Sequence, residues 1–273
     1  MAETLRVGVV QLNSGDDVGA NLDACRRLIA KAADLGAQFV ALPENFAFFG
    51  SEQAKRELAE RSDEASNGPI LEMLSTAASA HRVYVLGGGW PESSADALRP
   101  YNTAIVVGPD GRIIARYRKI HLFDVDAPDG HAYRESNGVT PGASIECVTI
   151  EGFRVGLSIC YDLRFPELYR RLVDEGAEIV CIPSAFTFAT GQAHWHLLCR
   201  ARAIENQCFV IAPGQWGSHP RNRKTFGHSL LLDPWGEILE EISEGEGVAV
   251  ATLNRERLVA VRNKLPSLSH RRL

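Results

Sequence analysis

The sequence predicts a mixed α/β fold in one large domain, and three observations lead to it. Short β-branched runs alternate with helical segments, which is typical of α/β folds. Two stretches, "VVGPDGRIIARY" and "LLDPWGEILEEI", predict antiparallel hairpins, which argues against a purely parallel arrangement. Two segments far apart in the chain repeat the same order of elements. We therefore expect a single domain of 273 residues built from two related units.

The first elements follow from hydrophobic spacing. Apolar residues from Leu22 to Ala32 recur at helical intervals and predict a helix over roughly 19–35 that ends before Gly36. Ten apolar runs predict strands: "RVGVVQL", "QFVALP", "VYVLGGG", "NTAIVVG", "RIIARYRK", "RVGLSIC", "EIVCIP", "CFVIAPG", "HSLLLD" and "GVAVATL".

An internal repeat relates the two halves of the chain. "RVGVVQL…RRLIAKAADLGAQFVALPE" resembles "RVGLSIC…YRRLVDEGAEIVCIPS", with strand, helix, Gly-Ala, strand and proline in the same order. This indicates two βαβ units about a pseudo-two-fold axis. The repeat equates Leu12 with Cys160 and Glu44 with Ser184, so each unit places one special residue at a strand end.

Composition and charge indicate which kinds of partner and which cellular compartment to expect. The net charge is −5, which predicts no nucleic-acid partner. No apolar run reaches the ~18–20 residues of a membrane span, and the N-terminus lacks the features of a signal peptide. The six cysteines form no CxxC pair, which favours reduced thiols and a cytoplasmic location.

Three reactive side chains follow apolar runs. Glu44 follows "FVALP", Lys119 follows "RIIARYR" and Cys160 follows "VGLSI". In open α/β sheets, sites assemble at the carboxyl ends of strands, and neighbouring strands lie less than ~5 Å apart. We therefore expect these side chains to converge.

This trio suits acyl transfer through a thioester. Cysteine attacks carbonyl carbon as a thiolate, and its free pKa is ~8.5. Glu44 is the candidate base, provided that burial raises the pKa of its carboxyl. The Lys119 ammonium and the Tyr161 backbone N–H would stabilise the oxyanion, and the helix starting near Pro166 would add a modest positive end.

Spacing alone leaves structural interpretations open. A cysteine at a strand end is commonly inert core, a lysine after a strand is commonly a solvated cap, and a glutamate after proline commonly belongs to a turn. His121 is a further candidate partner of Cys160, as in a papain-like dyad.

Two other patterns predict no site. In "HWH", near Cys199, residues two apart on a helix point ~200° apart, so His194 and His196 cannot share one ion. The "GGG" triplet lacks the third glycine and the helix of a dinucleotide loop. The proposed chemistry requires no metal and no cofactor.

The sequence motifs around Glu44, Lys119 and Cys160 resemble those of a known family. "ALPENF", "RKIHLFD" and "ICYDLRFPEL" resemble, in the family's order, the three signature blocks of the nitrilase superfamily of carbon-nitrogen hydrolases. The family's Glu-Lys-Cys triad then falls on Glu44, Lys119 and Cys160. A second active-site glutamate corresponds to Glu135 in "YRESN", where it would orient Lys119 or help to position substrate.

The resemblance also implies a fold and an assembly. It implies a four-layer α-β-β-α sandwich in a single carbon-nitrogen hydrolase domain over residues 1–273, with protomers paired as a homodimer or a higher homo-oligomer. "NKLPSLSHRRL" resembles family tails that cross to the partner subunit, so the chain from about residue 255 is expected to contact a partner.

The block at 184–217 bears on the substrate. It resembles the family branch that contains deaminated glutathione amidase and ω-amidase, and "RARAIENQCFVIA" and "YRESN" favour the former. Phe186 and Thr190 match pocket positions of that branch. Gln192 stands where proline is usual and His196 where glutamate is usual, and both are expected near the pocket entrance.

Arg164 has two interpretations. Its guanidinium fork matches a substrate carboxylate. It could equally form a structural salt bridge with Asp162 or Glu167.

The predicted function is hydrolysis of a primary amide of a carboxylate-bearing small molecule to acid and ammonia. The alternatives within the family are a nitrilase, an N-carbamoyl hydrolase and an ω-amidase acting on α-ketoglutaramate. The alternative from another class is a catalytically silent binding protein.

Overall fold

The computed structural model describes residues 3–61, 68–126, 130 and 132–272. The strands within these residues are β1 (Thr4–Gln11), β2 (Phe39–Ala41), β3 (Tyr84–Glu92), β4 (Tyr101–Val107), β5 (Ile113–Arg118), β6 (Asp124–Asp126), β7 (Ala132–Arg134), β8 (Cys147–Ile150), β9 (Phe153–Leu157), β10 (Ile179–Cys181), β11 (Phe209–Ala212), β12 (Trp216–His219), β13 (Arg223–Phe226), β14 (Ser229–Leu232), β15 (Ile238–Ile242) and β16 (Gly247–Asn254). The α-helices are α1 (Val18–Asp34), α2 (Glu52–Glu57), α3 (Pro69–His81), α4 (Pro166–Asp174), α5 (Phe188–Asn206) and α6 (Arg255–Lys264).

Two six-stranded sheets form the centre of the molecule. Their strand orders are β16-β1-β2-β3-β4-β5 and β15-β14-β11-β10-β9-β8. In each sheet three consecutive central strands are parallel and the outer strands are antiparallel. Both predicted hairpins are present, as β4–β5 and β14–β15, so the mixed α/β prediction is confirmed.

The two sheets repeat one topology. β1–α1–β2–α3–β3 corresponds to β9–α4–β10–α5–β11, and a hairpin closes each unit. The registers agree, because Val7 pairs with Phe39 in the first sheet and Val155 pairs with Ile179 in the second. The predicted pseudo-two-fold repeat of βαβ units is therefore confirmed.

Alternation along the strands builds four layers. On β1, Leu5, Val7 and Val9 pack with the second sheet, whereas Val10 packs with α1 and α3. Helices α4 and α5 cover the other face of the second sheet, where Leu172 and further side chains are fully buried. A sheet covered on both faces requires apolar residues at nearly every position, as these strands show. The α-β-β-α sandwich is confirmed.

Local signals place the helix ends. Asp17 caps α1 by accepting a hydrogen bond from the Ala20 N–H at 3.0 Å. Gly36 follows the end of α1 at φ +85°, a conformation that glycine adopts without strain. Pro69 and Pro166 each occupy the first position of a helix, where no backbone donor is lost.

The C-terminal segment packs on its own chain. Leu258 and Val261 of α6 are buried, and the Arg255 guanidinium lies 2.9 Å from the Glu178 carboxylate. The Gln207 side-chain amide donates to the Leu265 carbonyl at 2.5 Å. The contact of this segment with a partner subunit stays a prediction.

A membrane-spanning helix is not found among the described residues, because none of their helices combines the length and the apolar character that a span needs.

Candidate active site

The ends of three strands bring Glu44, Lys119 and Cys160 together. Glu44 follows β2 and Lys119 follows β5; both strands run in the same direction in the first sheet. Cys160 follows β9 in the second sheet. The predicted convergence is present, and it joins the two sheets.

Cys160 lies at a sharp turn that aims its side chain at the other sheet. Its φ is +47°, a left-handed conformation that costs a non-glycine residue on the order of 1–3 kcal/mol. Its N–H donates to the Pro183 carbonyl at 2.9 Å, and a short 3₁₀ helix over Cys160–Arg164 follows at once. The residue is only 8% exposed. The surrounding structure thus fixes the thiol in one position.

Asp162 stabilises this turn. One carboxylate oxygen accepts from the Tyr117 hydroxyl at 2.7 Å and from the Ile159 N–H at 2.9 Å. The other accepts from the His121 N–H at 3.0 Å and lies 2.7 Å from His121 Nδ1. The His121 ring also stacks on Phe165, at 3.7 Å between centroids. Asp162 and His121 therefore support the turn, and the hydrogen bonds found for His121 lead to Asp162, not to Cys160.

A chain of charged groups leads away from Cys160. The Cys160 thiol and the Glu44 carboxylate lie on the wall of the same cavity, close enough for the charge of Glu44 to raise the pKa of the thiol. Lys119 Nζ lies 3.1 Å from Glu44 Oε1, and 3.0 and 2.9 Å from the two Glu135 carboxylate oxygens. The Phe123 N–H donates to Glu135 Oε2 at 2.6 Å. Glu135 therefore contacts Lys119, as expected of a group that orients it.

Asn102 is a member of the site that the sequence did not indicate. Its amide nitrogen donates to Glu44 Oε1 at 2.9 Å and to Glu135 Oε1 at 3.2 Å. The side chain is 1% exposed. The sequence alone indicates only that Asn102 is a polar residue at the start of a strand. Its role becomes visible when β4 pairs beside β5, which ends at Lys119.

The glycine triplet makes room for the carboxylate. Gly89 has φ +80°, and a Cβ there would lie 2.6 Å from Glu44 Cγ and 2.9 Å from Asn102 Oδ1. At Gly88 a Cβ would lie 2.1 Å from Pro183 Cβ. The triplet thus serves close packing beneath Glu44.

The charges of the site oppose the expected pKa of Glu44. Burial alone would raise that pKa, but the positive charges of Lys119 and Lys55 outweigh it and lower the pKa below its ordinary value. The expectation that burial raises the pKa of Glu44 is therefore wrong. The sequence could not predict the lowered pKa of Glu44, because it results from the 3.1 Å contact with Lys119 that only the folded chain forms.

The pKa values of the Cys160 thiol and of the Lys119 ammonium are both raised. Burial, and then the charge of Glu44, raises the pKa of Cys160 well above its ordinary value, with Lys119 opposing. Burial opposes the charge of Lys119, but Glu135 and Glu44 hold the pKa of the ammonium well above its ordinary value. At neutral pH the site holds a thiol, an ammonium and a Glu44 carboxylate.

A cavity of about 760 Å³ opens above these groups. Its wall includes the predicted substrate-binding residues Arg164, Phe186 and Thr190. It also includes Tyr161, the predicted oxyanion donor, and Glu44, Lys119, Glu135 and Cys160. Residues of the two small hairpins, β6–β7 and β12–β13, border it.

Arg164 faces this cavity instead of a carboxylate of its own chain. Its guanidinium lies 5.0 Å from the Phe186 ring centroid and 3.3 Å from His194 Nδ1. Asp162 is occupied by the turn, and within the described part of the chain Arg164 forms no ion pair with Asp162 or Glu167. The salt-bridge interpretation is therefore wrong.

Gln192 and His196 do not line the cavity. Gln192 is exposed on α5, and the His196 ring lies 3.0 Å from the Glu241 carboxylate. Thr190 is the residue of α5 on the cavity wall, and the expected place of Gln192 and His196 near the pocket entrance stays a prediction. His194 and His196 reach different partners, as their spacing predicts.

The fold and the site define a class of hydrolase, and comparison with known families agrees. The carbon-nitrogen hydrolase family matches residues 6–263. The chain belongs to the carbon-nitrogen hydrolase family, so the prediction made from the three signature blocks is confirmed.

Individual members of the family are similar to this chain over most of its length. The chain is 46% identical over 265 residues to a deaminated glutathione amidase of Synechocystis sp., covering 96% of both chains. The crystal structure of the C. elegans NitFhit protein has a TM-score of 0.92 and 37% identity; the match covers 100% of this chain and 66% of that longer one. The structure of Nit3 from Saccharomyces cerevisiae, a member of branch 10 of the nitrilase superfamily, has a TM-score of 0.88 and 32% identity, covering 97% of this chain and 96% of that one.

Proposed function

We propose that this chain is an amidase that hydrolyses an amide of a carboxylate-bearing small molecule through a thioester on Cys160, and that the molecule is deaminated glutathione. One observation carries the proposal. The Cys160 thiol shares the wall of a cavity of about 760 Å³ with a buried carboxylate, Glu44, which is itself 3.1 Å from a buried ammonium, Lys119.

In the first half of the reaction, Glu44 is the base. It takes the proton of the Cys160 thiol as the sulfur attacks the amide carbonyl carbon. The negative charge moves from the Glu44 carboxylate to the carbonyl oxygen, where the Lys119 ammonium and the Tyr161 N–H stabilise it. Glu135 and Asn102 hold Lys119 and Glu44 in place during this step.

In the second half, Glu44 returns the proton. It protonates the departing nitrogen as the carbon–nitrogen bond breaks, which leaves the acyl group on sulfur. Glu44, again a carboxylate, then takes a proton from water as the water oxygen attacks the thioester. As the carbon–sulfur bond breaks, the carboxylic acid is released and Glu44 passes this proton to the sulfur, which restores both the thiol and the Glu44 carboxylate. The lowered pKa of Glu44 keeps it ready as a base at neutral pH, but makes free thiolate scarce before substrate binds.

The identity of the leaving nitrogen depends on the substrate. Glutathione contains only peptide-type amides, so hydrolysis of its deaminated form releases an amine. The predicted release of ammonia from a primary amide applies to the alternative substrate, α-ketoglutaramate.

The charge of the cavity supports an anionic substrate. Beyond Lys119, six basic side chains line it: Lys55, Arg134, Arg164, Arg221, Arg223 and Lys224. Arg164 is the best placed to bind a carboxylate, since it lies beside the Cys160 turn and its fork is not paired with an acid among the described residues. Phe186 and Thr190 would contact the remainder of the substrate. The similarity to the Synechocystis relative supports deaminated glutathione in particular.

The deciding experiment compares two substrates at equal concentrations. Amine release from deaminated glutathione and ammonia release from α-ketoglutaramate are each converted to kcat/KM. We expect a clear preference for deaminated glutathione, and the reverse preference would make the chain an ω-amidase. Turnover of a nitrile or an N-carbamoyl compound alone would assign it to those family activities.

A variant separates an enzyme from a silent binding protein. Cys160→Ala should keep the circular dichroism spectrum and lose all turnover. Near-normal turnover in that variant would remove Cys160 from the mechanism. Binding of substrate without turnover by the unaltered chain would identify a silent family member.

The proposal extends to assembly and location. A homodimer is supported by exposed apolar side chains: Leu197 and Ile204 lie two helical turns apart on α5, and Gly236, which follows the exposed Trp235, packs against Ile204. A cytoplasmic location is supported by six cysteines that are all free thiols.

A further inference from the structure

Three metal-ligating side chains meet at a place that the amidase chemistry does not use. His196 lies on α5, His228 immediately precedes β14, and Glu241 lies on β15. Glu241 Oε1 is 3.0 Å from His196 Nε2 and 2.5 Å from His228 Nδ1. None of the three lines the cavity above Cys160.

The geometry of the donor atoms fits a small cation. One ligand atom from each side chain lies within 4.8 Å of the other two. Zinc takes nitrogen and carboxylate ligands at ~2.0–2.2 Å, so small rotations of the two half-buried rings would bring all three donors to one ion. Two imidazoles and one carboxylate are also a known protein ligand set for this metal.

The supporting structure holds the donors in place. The Phe226 ring stacks on His228 at 4.2 Å and meets the His196 ring edge-on at 5.9 Å. The Trp195 indole N–H donates to the His228 carbonyl at 2.7 Å. The three ligands therefore come from a helix and from an antiparallel hairpin that are already packed together.

We propose that His196 Nε2, His228 Nδ1 and Glu241 Oε1 form a binding site for one Zn²⁺ ion, with the remaining coordination position open to water. Both imidazoles bind as neutral rings, and the carboxylate supplies one negative charge. Nitrogen donors favour zinc over calcium or magnesium, which prefer oxygen ligands. Binding would release any proton held on the coordinating nitrogens.

The ion would act as a clip between α5 and the β14–β15 hairpin. Because Zn²⁺ would bind the folded chain and not the unfolded one, it would raise the melting temperature in a concentration-dependent way. This inference does not depend on the proposed amidase function, because none of its three ligands takes part in the reaction.

The test measures zinc directly, in a background that removes the competing thiol. Untagged Cys160→Ala protein is equilibrated with Zn²⁺, dialysed, and analysed for bound metal and for melting temperature. The same is done after adding His196→Asn, which removes the ligating ring nitrogen, or Glu241→Gln, which removes the charge but keeps the shape, and after adding His81→Asn. His81 is exposed at the end of α3 and serves as the matched control.

We expect one Zn²⁺ per chain and a higher melting temperature in the background protein and in the His81→Asn protein. Losing a supporting partner of a zinc ligand weakens binding ~10–100-fold. Losing a ligand itself should weaken it at least that much, and should abolish the thermal shift. Absence of bound zinc from the background protein would overturn the proposal. Equal zinc content in all the variants would overturn it as well, because the ion would then lie elsewhere and the three side chains would form only a hydrogen-bonded cluster.

Discussion

At the scale of single residues, the charges of the site favour a protonated Cys160 thiol beside an ionised Glu44 carboxylate. The pKa of Cys160 is raised, first by burial and then by the charge of Glu44, whereas Lys119 lowers the pKa of Glu44. The thiol and the carboxylate are therefore the resting pair. In the proposed mechanism the thiolate forms only when charge can move on to a bound carbonyl oxygen, which would link substrate binding to nucleophile activation.

This charge arrangement predicts opposite effects of Glu44→Gln on two measurements. Turnover should fall at least ~10²-fold, because the base is lost. The negative charge that helps to raise the pKa of Cys160 is lost as well, while the Lys119 charge remains. The pKa of the thiol should fall, and the pH profile of Cys160 alkylation by iodoacetamide should move to lower pH.

The control for this measurement is Cys160→Ala, which sets the background alkylation of the other cysteines. An alkylation profile that stays in place or moves to higher pH in Glu44→Gln would contradict the charge assignment.

At the scale of elements, the 3₁₀ turn at Cys160–Arg164 depends on one buried carboxylate. Tyr117→Phe removes the 2.7 Å hydrogen bond to Asp162 and leaves the rest of the ring in place. A hydrogen bond to a charged group contributes ~1.5–3 kcal/mol, so the free energy of unfolding should fall by about that amount. Because the turn holds the thiol, kcat should fall as well. Urea unfolding and steady-state kinetics measure the two effects.

Tyr84→Phe is the matched control for that variant. Tyr84 interacts with Glu151 near the surface, so its hydroxyl should contribute less than ~0.5 kcal/mol and leave kcat unchanged. Equal losses of stability in the two variants would mean that Asp162 does not depend on Tyr117.

Sequence patterns predicted the elements better than the contacts between them. Strand ends, hairpin turns and helix starts follow from local rules, and they located Glu44, Lys119 and Cys160 together. Asn102 was missed because its role depends on the pairing of β4 with β5, which lies outside any local pattern. The contact of His196 with Glu241 was missed for a similar reason, since only packing shows that this side of α5 meets β15.

At the scale of the whole molecule, the exposed apolar side of α5 predicts association. Leu197 is 68% exposed and lies on the same helical face as Ile204. If this face is the homodimer contact, Leu197→Glu would bury a charge there and should shift sedimentation from dimer to monomer. Leu98→Glu is the control, because Leu98 is 67% exposed but lies in the loop before β4.

Monomeric behaviour of the unaltered chain would remove the proposed dimer. A dimer that survives Leu197→Glu would place the contact on another face.

The duplicated architecture divides the chemistry between its two halves. Glu44 and Lys119 belong to the first sheet and Cys160 to the second, so the thickness of the hydrophobic layer between the sheets sets the separation of the proposed base and the proposed nucleophile. Packed sheets lie ~10 Å apart, and a displacement of ~1 Å at reacting atoms can lower a rate ~10²-fold. The rate of turnover should therefore depend on how well the core between the sheets is packed. Core substitutions too mild to unfold the chain should already be visible as lost turnover.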